Sequence, residues 1–470
     1  MNKKCQVFTP ENYVKELLDS VGYTEHLYGK KILENSCGDG NILVVIVQRY
    51  IDDCVANGYS KTRIKNGLAR DIYGVEIDPK QYQKCIDNLN AVLQKNNINT
   101  VDWKIFNEDY LRWEVILPFH FIVGNPPYIT YSEIQEEEQK YVKETFETCV
   151  KGKFDYCYAF IEKSIKSLTK DGKMAYLIPS SIFKTVFGLN LRNYMKPYIT
   201  VIKDYTQEKV FDNALVKSSI MVLNKQRQQG VLFYRDMTLS TEINIPIKQL
   251  TDKWFFAENM PSGMRRFGDY FKVSHVVATL LNDAYVLKGD YQETAQGFLC
   301  NGHNIERAVV RDTATPRSLR YKRNEKIIFP YRYVDGHLVK YREGEFEINY
   351  PEAVAYLNDF RDRLDKRQSD TGAKWYEYGR SQALAGLDSD KLLISTVITE
   401  NVAVYRLTKE CIPYAGMYIV KRDGNNEYTL DDAVCILESR NFRQYVLDVG
   451  IHISGSSLRI TSRDVEEYRF

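Results

Sequence analysis

The residues with the most specific chemistry in the chain are Asn125, Pro126, Pro127 and Tyr128, which directly follow an apolar run. Two consecutive prolines fix φ and remove two backbone donors, so the Pro126 carbonyl is held in one direction. That carbonyl and the Asn125 side-chain oxygen can together accept both hydrogens of one planar amino group. The nitrogen lone pair would then point toward an electrophile, while Tyr128 offers a face for a planar ring.

Three acidic side chains, Glu34, Glu76 and Asp109, stand at the ends of three successive predicted strands, and a turn containing Gly38 and Gly40 follows the first. Glycine in such a turn lets the backbone approach a ligand closely, but the turn lacks the Gly-Lys-Ser/Thr of a phosphate-binding loop. A carboxylate at the position of Glu76 can accept both hydroxyls of a ribose. Asp109 can accept a hydrogen bond from the amino group of adenine. Together these acids predict an adenosine-binding edge.

Short apolar runs alternate with helical stretches through the first half of the chain. The predicted strands are residues 31–36, 72–78, 101–109, 119–125, 173–179, 200–205 and 218–225. Between them, apolar residues spaced three and four apart predict helices. This alternation predicts an α/β fold with a Rossmann-like, doubly wound sheet, whose ligands lie outside the carboxyl ends of the strands. The asparagine, the acids and the glycines all fall at those ends.

A chain of 470 residues exceeds what one hydrophobic core usually holds, so two domains are expected. The regular alternation stops after about residue 230, and we predict a first domain at residues 1–240 and a C-terminal α+β domain at residues 241–470. Residues 305–342 carry ten Lys or Arg against four acids. The aromatic residues interleaved with them are Tyr321, Phe329, Tyr331, Tyr333 and Tyr341. Cations mixed with rings suit a nucleic-acid surface, although a solvated face of mixed charge gives the same pattern.

Composition excludes several classes of protein. The net charge of +2 neither suggests nor rules out a polyanionic partner. The longest aliphatic run, residues 42–47, is far shorter than the ~20 residues of a membrane span. The first residues lack the apolar stretch of a signal peptide. Nine cysteines without a Cys-x-x-Cys pair indicate neither a disulfide framework nor a zinc site. We therefore expect a reduced, cytoplasmic protein that has no membrane segment and binds no metal.

The order of these segments resembles that of a known family, the TaqI-like gamma class of S-adenosylmethionine-dependent DNA N6-adenine methyltransferases. In that resemblance residues 8–10 correspond to motif X, 34–40 to motif I, Glu76 to motif II, Asp109-Tyr110 to motif III and residues 125–128 to the catalytic Asn-Pro-Pro-Tyr. Motif X standing before motif I marks the gamma order. One departure is Asn35, where the family usually has proline.

The resemblance continues through the rest of the chain. Residues 154–160, 172–181 and 210–223 are similar to motifs V, VI and VIII. Residues 329–332, 374–380 and 455–458 resemble landmarks of TaqI-like specificity domains. The second domain is therefore expected to be the target-recognition domain, and the first to be a class I methyltransferase domain.

The resemblance implies a role for each matching residue. The residues expected to bind S-adenosylmethionine are Thr9, Glu34, Cys37, Gly38, Gly40, Glu76, Ile77, Asp109, Tyr110 and Pro127. Within that set Glu76 is assigned the ribose and Asp109 the adenine amine. The expected catalytic residues are Asn125, Pro126 and Tyr128. Tyr128 and Phe211 are expected on the two faces of the target base.

The implied reaction is direct in-line methyl transfer to N6 of an adenine that has been flipped out of double-stranded DNA. The expected DNA-binding residues of the second domain are Arg317, Arg320, Lys322, Arg323, Arg332, Trp375 and Arg380. The enzyme is expected to act as a monomer and as the modification enzyme of a restriction-modification system, with any cognate endonuclease on a separate chain.

Other functions remain open at this point. Protein glutamine methyltransferases and RNA adenine methyltransferases use the same Asn-Pro-Pro-Tyr chemistry on an –NH₂ group. The glutamine enzymes are short, which the roughly 240 additional residues argue against. A fused nuclease is not indicated, because the only Glu-x-Lys, Glu138-Gln139-Lys140, lies in a predicted helix without a suitable upstream Asp. A DNA-binding protein with a decayed pocket is disfavoured, because every motif residue that the chemistry needs is present.

Overall fold

The computed structural model describes residues 9–114, 118–206, 217–226, 230–256, 265–289, 291–454 and 456–470. The chain forms two compact units, Met1–Met260 and Pro261–Phe470. No helix among the described residues is both long and apolar enough to cross a bilayer. Phe211 and Gly455 lie outside the described residues.

The first unit is built on one sheet. Its strands are β1 (Ile32–Glu34), β2 (Ile72–Val75), β3 (Lys104–Phe106), β4 (Phe119–Gly124), β5 (Leu168–Pro179), β6 (Ile199–Asp204), β7 (Ser218–Asn224), β8 (Val231–Asp236) and β9 (Thr241–Pro246). Its helices are α1 (Glu11–Val21), α2 (Asn41–Ala56), α3 (Lys61–Asp71), α4 (Pro79–Lys95), α5 (Glu136–Thr145), α6 (Cys157–Ser167) and α7 (Leu189–Met195).

The strands follow the order β3-β2-β1-β4-β5-β7-β6-β8-β9. The pairs from β3 through β5 are parallel, and β7 runs antiparallel to β5 and β6. This arrangement confirms the predicted Rossmann-like, doubly wound sheet. The order reverses between β1 and β4, and ligands of such sheets bind at that switch point.

Helices cover both faces of the sheet. One apolar cluster includes buried residues of α1, α2, α3 and α4, and a second includes buried residues of α5, α6 and α7. Several helix starts carry their own sequence signals. Asp78 accepts backbone N–H bonds from Lys80 and Gln81, and Pro79 occupies the first turn of α4. These bonds fix the start of α4 shortly after the end of β2.

The boundary between the units lies later than the predicted position at residue 240. Strands β8 and β9 form an antiparallel hairpin, and β8 pairs in parallel with β6, so both extend the sheet of the first unit. The polar residues 225–230 interrupt the sequence pattern but do not end the domain. A cut at residue 240 would separate the two strands of this hairpin.

The second unit has short strands and helices that do not alternate regularly, which confirms the expected α+β class. Its strands are β10 (Phe271–His275), β11 (Val286–Leu287), β12 (Gln292–Glu293), β13 (Gly297–Cys300), β14 (His303–Glu306), β15 (Val310–Thr313), β16 (Glu325–Ile328), β17 (Arg332–Val334), β18 (His337–Val339), β19 (Lys391–Ile394), β20 (Val397–Ile398), β21 (Val404–Leu407), β22 (Met417–Lys421), β23 (Ile451–Ser454) and β24 (Ser457–Arg459). Its helices are α8 (Phe267–Tyr270), α9 (Asn282–Tyr285), α10 (Pro316–Arg320), α11 (Glu345–Asn349), α12 (Pro351–Asn358), α13 (Arg361–Asp365), α14 (Leu430–Leu437), α15 (Arg440–Val449) and α16 (Ser462–Glu466).

The strands of the second unit form several small sheets, such as the antiparallel β10-β22-β19-β21 and β11-β16-β15. Aromatic rings fill much of the core between them. The Tyr378 hydroxyl donates to the Ile328 carbonyl at 2.7 Å, and the Tyr378 ring packs edge-on against Tyr285 at 5.0 Å between centroids. This buried phenol thus finds a backbone partner for its polar end while its ring fills the core.

The interpretation of the interleaved aromatic residues as a surface is wrong for most of them. Phe329, Tyr331 and Tyr341 are buried, and the partly buried Tyr333 donates its hydroxyl to the Leu384 carbonyl at 2.6 Å. Only Tyr321 of this set is well exposed, at 59%. Spacing along the sequence did not distinguish rings that fill a core from rings that face water.

Candidate functional site

A cavity of ≈ 230 Å³ lies at the carboxyl edge of the sheet, at the switch point between β1 and β4. The predicted site residues that line it are Thr9, Glu34, Cys37, Gly38, Glu76, Ile77, Asp109, Tyr110, Asn125 and Pro127. The structure therefore brings the four sequence segments together. Gly40, Pro126 and Tyr128 do not line the cavity, and Phe211 lies outside the described residues.

Glu34 ends β1 inside the protein and is almost fully buried, at 2% exposure. Its Oε2 has no hydrogen-bond partner among the described residues. Burial raises the pKa of this carboxyl well above its ordinary value, and the nearby Cys85 and Glu76 raise it further. A buried carboxyl oxygen without a donor is costly, so this atom is poised for a cationic or N–H-bearing ligand in the cavity.

The turn after β1 depends on glycine for two different reasons. Gly38 adopts φ +53° and lines the cavity with its backbone. Gly40 adopts φ +87° directly before α2, and a Cβ there would lie 2.8 Å from Cys85 Sγ on α4. The structure thus gives Gly40 the task of allowing α2 to start close to α4, rather than of lining the cavity.

Glu76 follows β2 and holds the neighbouring turns in place. Its Oε2 accepts the Gly38 N–H and its Oε1 accepts the Asp78 N–H, both at 2.8 Å. Burial raises its pKa despite these two bonds. Each carboxylate oxygen keeps a second lone pair for a ligand hydroxyl. The next residue, Ile77, lines the cavity and is 44% exposed, so it offers an apolar surface that a flat ring could cover.

Asp109 and Tyr110 follow β3. Asp109 Oδ1 accepts the Leu111 N–H at 2.9 Å, and Oδ2 accepts from the Arg112 guanidinium at 2.6 Å. Tyr110 is only 2% exposed; its ring packs 5.2 Å from that of Phe160, and burial raises the pKa of its phenol. One edge of the ring reaches the cavity while the hydroxyl points into the protein.

The Tyr110 hydroxyl belongs to a buried polar network that explains the residue at position 35. Tyr110 and Ser164 are hydrogen-bonded at 2.9 Å, and Ser164 and Tyr176 at 2.6 Å. The Asn35 amide donates to Ser164 at 3.0 Å and also to the Tyr176 hydroxyl. The asparagine that replaces the usual proline thus ties the end of β1 to α6 and β5.

Asn125 stands directly after β4 and is held from two sides. Its Nδ2 donates to the Thr9 hydroxyl at 3.2 Å, and its backbone carbonyl accepts from the Ser36 hydroxyl at 3.2 Å. Thr9 precedes α1, and Ser36 follows β1. The amide is therefore positioned by both segments that border the cavity, and Pro126 behind it is buried.

Tyr128 is fixed by its hydroxyl, which donates to the Leu177 carbonyl of β5 at 2.8 Å. Burial raises the pKa of this phenol well above its ordinary value. The ring packs against the apolar cluster of α1 and α2 and is only partly buried. Because its hydroxyl is anchored and its ring is partly exposed, Tyr128 can stack on a planar group at little cost in side-chain entropy.

Several cavity residues had no individual role assigned to them from the sequence. They are Asn35, Ser36, Asp39, Asn41, Ile42, Val75, Asp78, Gln81, Glu108, Ile129, Tyr156 and Phe160. Tyr156 and Phe160 lie in the segment 154–160 that resembles motif V, and their spacing is the signal that could have given them a role. Tyr156 directly precedes α6 with a helical backbone, and Phe160 lies four residues later in its first turn, so both side chains share the face that borders the cavity.

In the second unit, four predicted DNA-binding cations form an exposed group. Arg317 and Arg320 lie on α10, and Lys322 and Arg323 follow it. Among the described residues none of the four makes an ion pair with an acid. The Arg323 guanidinium lies 5.7 Å from the centre of the exposed Tyr321 ring. We name these four cations the α10 basic group.

The remaining predicted DNA-binding residues make contacts inside the unit. Arg332 donates to Glu345 at 2.8 Å, and Arg380 donates to the Gln368 carbonyl at 2.6 Å. The Trp375 ring lies under the Arg361 guanidinium at 4.3 Å. These side chains therefore carry structural roles, although each guanidinium has five donors and keeps some for another partner.

The family match covers the part of the chain that holds most of this site. Residues 30–211 match the Eco57I restriction-modification methylase family, a span that holds β1 to β6 and most of the cavity. The type II restriction enzyme and methyltransferase RM.Eco57I of Escherichia coli is 24% identical over 92% of this chain and 53% of its own length. The type II methyltransferase M.BstVI of Geobacillus stearothermophilus is 29% identical over 44% of this chain and 39% of its own length. The chain thus spans about half, or less, of these curated relatives.

Solved structures support the fold along almost the whole chain. The type IIL restriction-modification enzyme MmeI, in complex with DNA, aligns with a TM-score of 0.63 at 14% identity and covers 98% of this chain and 67% of its own. A nuclease-deletion mutant of the type ISP enzyme LlaGI aligns with a TM-score of 0.53 at 12% identity, over 94% of this chain and 50% of its own. At these identities the likeness establishes the fold, and the sequence matches establish a relationship to restriction-modification methyltransferases.

Proposed function

We propose that this chain is a site-specific DNA methyltransferase that transfers a methyl group from S-adenosylmethionine to N6 of an adenine in double-stranded DNA. The observation that carries the proposal is one cavity that contains both the buried Glu34 carboxyl and the Asn125 amide. The first suits the charged end of the cofactor, and the second suits a planar amine. Because both groups border one cavity at the switch point of the sheet, the methyl donor and the acceptor amine could be bound next to each other, as methyl transfer requires.

The residues of the cavity fit S-adenosylmethionine. Glu34 Oε2, which has no hydrogen-bond partner among the described residues, suits the ammonium group of the methionine part. Glu76 and Ile77 suit the ribose and one adenine face, and Asp109 is an acceptor for the adenine amine. When bound, the cofactor supplies an electrophilic methyl group on its sulfonium.

The chain's own residues would then orient the target amine. Asn125 Oδ1 and the Pro126 carbonyl accept its two hydrogens, which directs the nitrogen lone pair into the cavity. Thr9 holds the other end of the Asn125 amide at 3.2 Å. Tyr128, anchored on Leu177, supports the ring of the base, and Phe211 is proposed for the opposite face. The base has to leave the duplex, because its amine could not otherwise reach this cavity.

DNA recognition is proposed for the second unit. The α10 basic group offers four exposed cations for phosphates, and Arg332, Trp375 and Arg380 are proposed as further contacts. The solved relative MmeI is described in complex with DNA, which supports DNA as the partner here. The names of the relatives support a place in a restriction-modification system. A cognate endonuclease on a separate chain is part of the proposal.

The test is methylation of defined substrates followed by mass spectrometry of the nucleosides. Duplex DNA, RNA of the same sequence and a glutamine-containing protein are offered separately with S-adenosylmethionine. We expect N6-methyladenine in DNA. Asn125→Ala should lower the rate by about 100-fold or more, as loss of one preorganised hydrogen-bonding group does elsewhere.

The matched control is Asn244→Ala, on the exposed edge strand β9, which should leave the rate unchanged. N4-methylcytosine as the product would refute the adenine assignment. Methyl transfer only to RNA or to protein would refute DNA as the substrate, and an Asn125→Ala enzyme of near wild-type rate would refute the catalytic assignment.

A further inference from the structure

Four polar side chains form a continuous chain at the rim of the cavity. Arg112 donates to Asp109 Oδ2 and to Glu138 Oε2, each at 2.6 Å. The Tyr156 hydroxyl donates to the other Glu138 oxygen, Oε1, at 2.8 Å. Asp109 and Tyr156 line the cavity, whereas Arg112 and Glu138 do not. The two outer residues thus connect two inner ones from different segments, the loop after β3 and the residue directly before α6.

Helix α5 holds Glu138 in this position. The Arg112 guanidinium lies 4.0 Å from the centre of the Tyr141 ring on α5, and the Tyr141 hydroxyl donates to the Leu111 carbonyl at 3.0 Å. Val142 on the same helix is fully buried. The helix is therefore docked against the loop that carries Asp109, and Glu138 is presented from a fixed support.

The neighbouring acids of α5 show that this arrangement is selective. Glu136 and Glu137 are exposed, and neither makes an ion pair among the described residues, whereas Glu138 has both oxygens engaged. The side chain of Glu138 is 22% exposed. A surface acid that serves only solubility would not need two directed bonds at its carboxylate.

Arg112 is a cation that bridges the carboxylates of Asp109 and Glu138. The Glu138 carboxylate, and after it Asp109, raise the pKa of the Arg112 guanidinium above its ordinary value. One planar cation between two carboxylates uses both arms of its fork, and this geometry restricts where each carboxylate can point. Asp109 Oδ1 is held by the Leu111 N–H at 2.9 Å, so the Asp109 carboxylate is oriented through both of its oxygens.

We propose that Arg112 and Glu138 are positioning residues for the purine of the cofactor. Arg112 orients Asp109 so that its carboxylate accepts a hydrogen bond from a 6-amino group, and Glu138 holds both Arg112 and the Tyr156 ring. This inference rests on the proposed use of S-adenosylmethionine. An ionised carboxylate is only an acceptor, so it favours a 6-aminopurine and disfavours a 6-oxopurine, whose oxygen faces it.

The measurement is binding, without turnover, of S-adenosylhomocysteine and of its 6-oxo analogue S-inosylhomocysteine, by calorimetry on the full chain. The wild type should prefer the amino form. Glu138→Gln removes the charge that holds Arg112, and we expect the preference to shrink by about tenfold, the scale of one charge-assisted hydrogen bond. The change should come from weaker binding of the amino ligand, with binding of the oxo ligand almost unchanged.

A second variant and a control make the result independent of folding losses. Arg112→Lys keeps the charge but cannot bridge two carboxylates as a fork, so it should also lower the preference. Glu137→Gln, one residue away on α5, should behave as wild type.

The possible results separate the two proposals. A wild type that binds neither ligand would refute the proposed cofactor and this inference with it. Wild-type preference retained in both Glu138→Gln and Arg112→Lys would refute the inference alone. Equal weakening of both ligands would also overturn it, because that result indicates a general structural role.

Discussion

Replacing Glu34 by glutamine tests whether the buried carboxyl serves binding at the expense of stability. Glu34 is 2% exposed, and its Oε2 has no hydrogen-bond partner among the described residues. Burial raises its pKa well above the ordinary value of 4.5. The folded protein therefore keeps a proton at Glu34 that the unfolded chain loses above that pH, and the contribution of Glu34 to stability falls as the pH rises from about 4.5.

The size of this effect has an upper limit that follows from the pH alone. At pH 7 the unfolded carboxyl lies 2.5 pH units above its ordinary pKa of 4.5, at about 1.36 kcal/mol per unit. Keeping the folded carboxyl protonated therefore costs at most about 3.4 kcal/mol at pH 7. Glutamine has nearly the same shape and no charge to suppress. We expect Glu34→Gln to be more stable than wild type at pH 7, within that limit, and equally stable near pH 4.

Urea unfolding at pH 4, 5, 6 and 7 measures the difference, with Glu25→Gln as an exposed control. Calorimetry of S-adenosylhomocysteine binding in phosphate and in Tris gives the protons released. The wild type should release up to one proton at Glu34 and bind more tightly as the pH rises, since the ligand ammonium favours the ionised carboxylate. Glu34→Gln should bind weakly and lack this release. A stability difference that does not change with pH, or proton release that persists in Glu34→Gln, would refute the reasoning.

Two further predictions concern the target base and DNA. Tyr128→Ala should remove about 1–3 kcal/mol of base stacking, whereas Tyr128→Phe keeps the ring, removes only the hydrogen bond to Leu177 and should retain most of the stacking. The fluorescence of 2-aminopurine at the target position measures stacking in both variants. An alanine variant with the wild-type signal would contradict the stacking role. Alanine at all four positions of the α10 basic group should flatten the log–log salt dependence of DNA binding by about 0.9 for each phosphate that the group neutralises. Arg440→Ala with Arg443→Ala, two exposed cations elsewhere in the unit, serves as the control, and an equal slope in the two multiple variants would argue against a specific surface.

The sheet of the first unit was predictable because its strands are apolar runs that end in recognisable turns. All seven predicted strands are present, with ends that differ by at most a few residues in most cases. The hairpin β8–β9 was missed because its strands are only partly buried and follow a polar break. A half-exposed strand pair at a sheet edge needs little apolar sequence, so its pattern is weak.

The cavity was predictable where residues of an informative chemical type stand at the ends of predicted strands. Acids at the ends of β1, β2 and β3 meet because parallel strands place their carboxyl ends on one edge. The orientation of individual side chains was not predictable. Tyr128 has its hydroxyl bonded to Leu177, 49 residues away, and Gly40 serves packing against Cys85. Such partners are set by tertiary contacts that leave no local pattern.

Glu138 shows the same limit most clearly, since its sequence context pointed only to a nuclease-like Glu-x-Lys that lacked its partner Asp. Three consecutive glutamates begin α5, and nothing in the sequence separates the third from the other two. The helix turns Glu138 toward Arg112, 26 residues earlier in the chain, while the two neighbouring glutamates face water.

Two carboxylates that border the cavity, Asp109 and Glu34, are arranged in opposite ways. Asp109 is already compensated by Arg112, so it can direct a neutral purine, whereas Glu34 has an uncompensated oxygen, so it is suited to a ligand that brings its own positive charge.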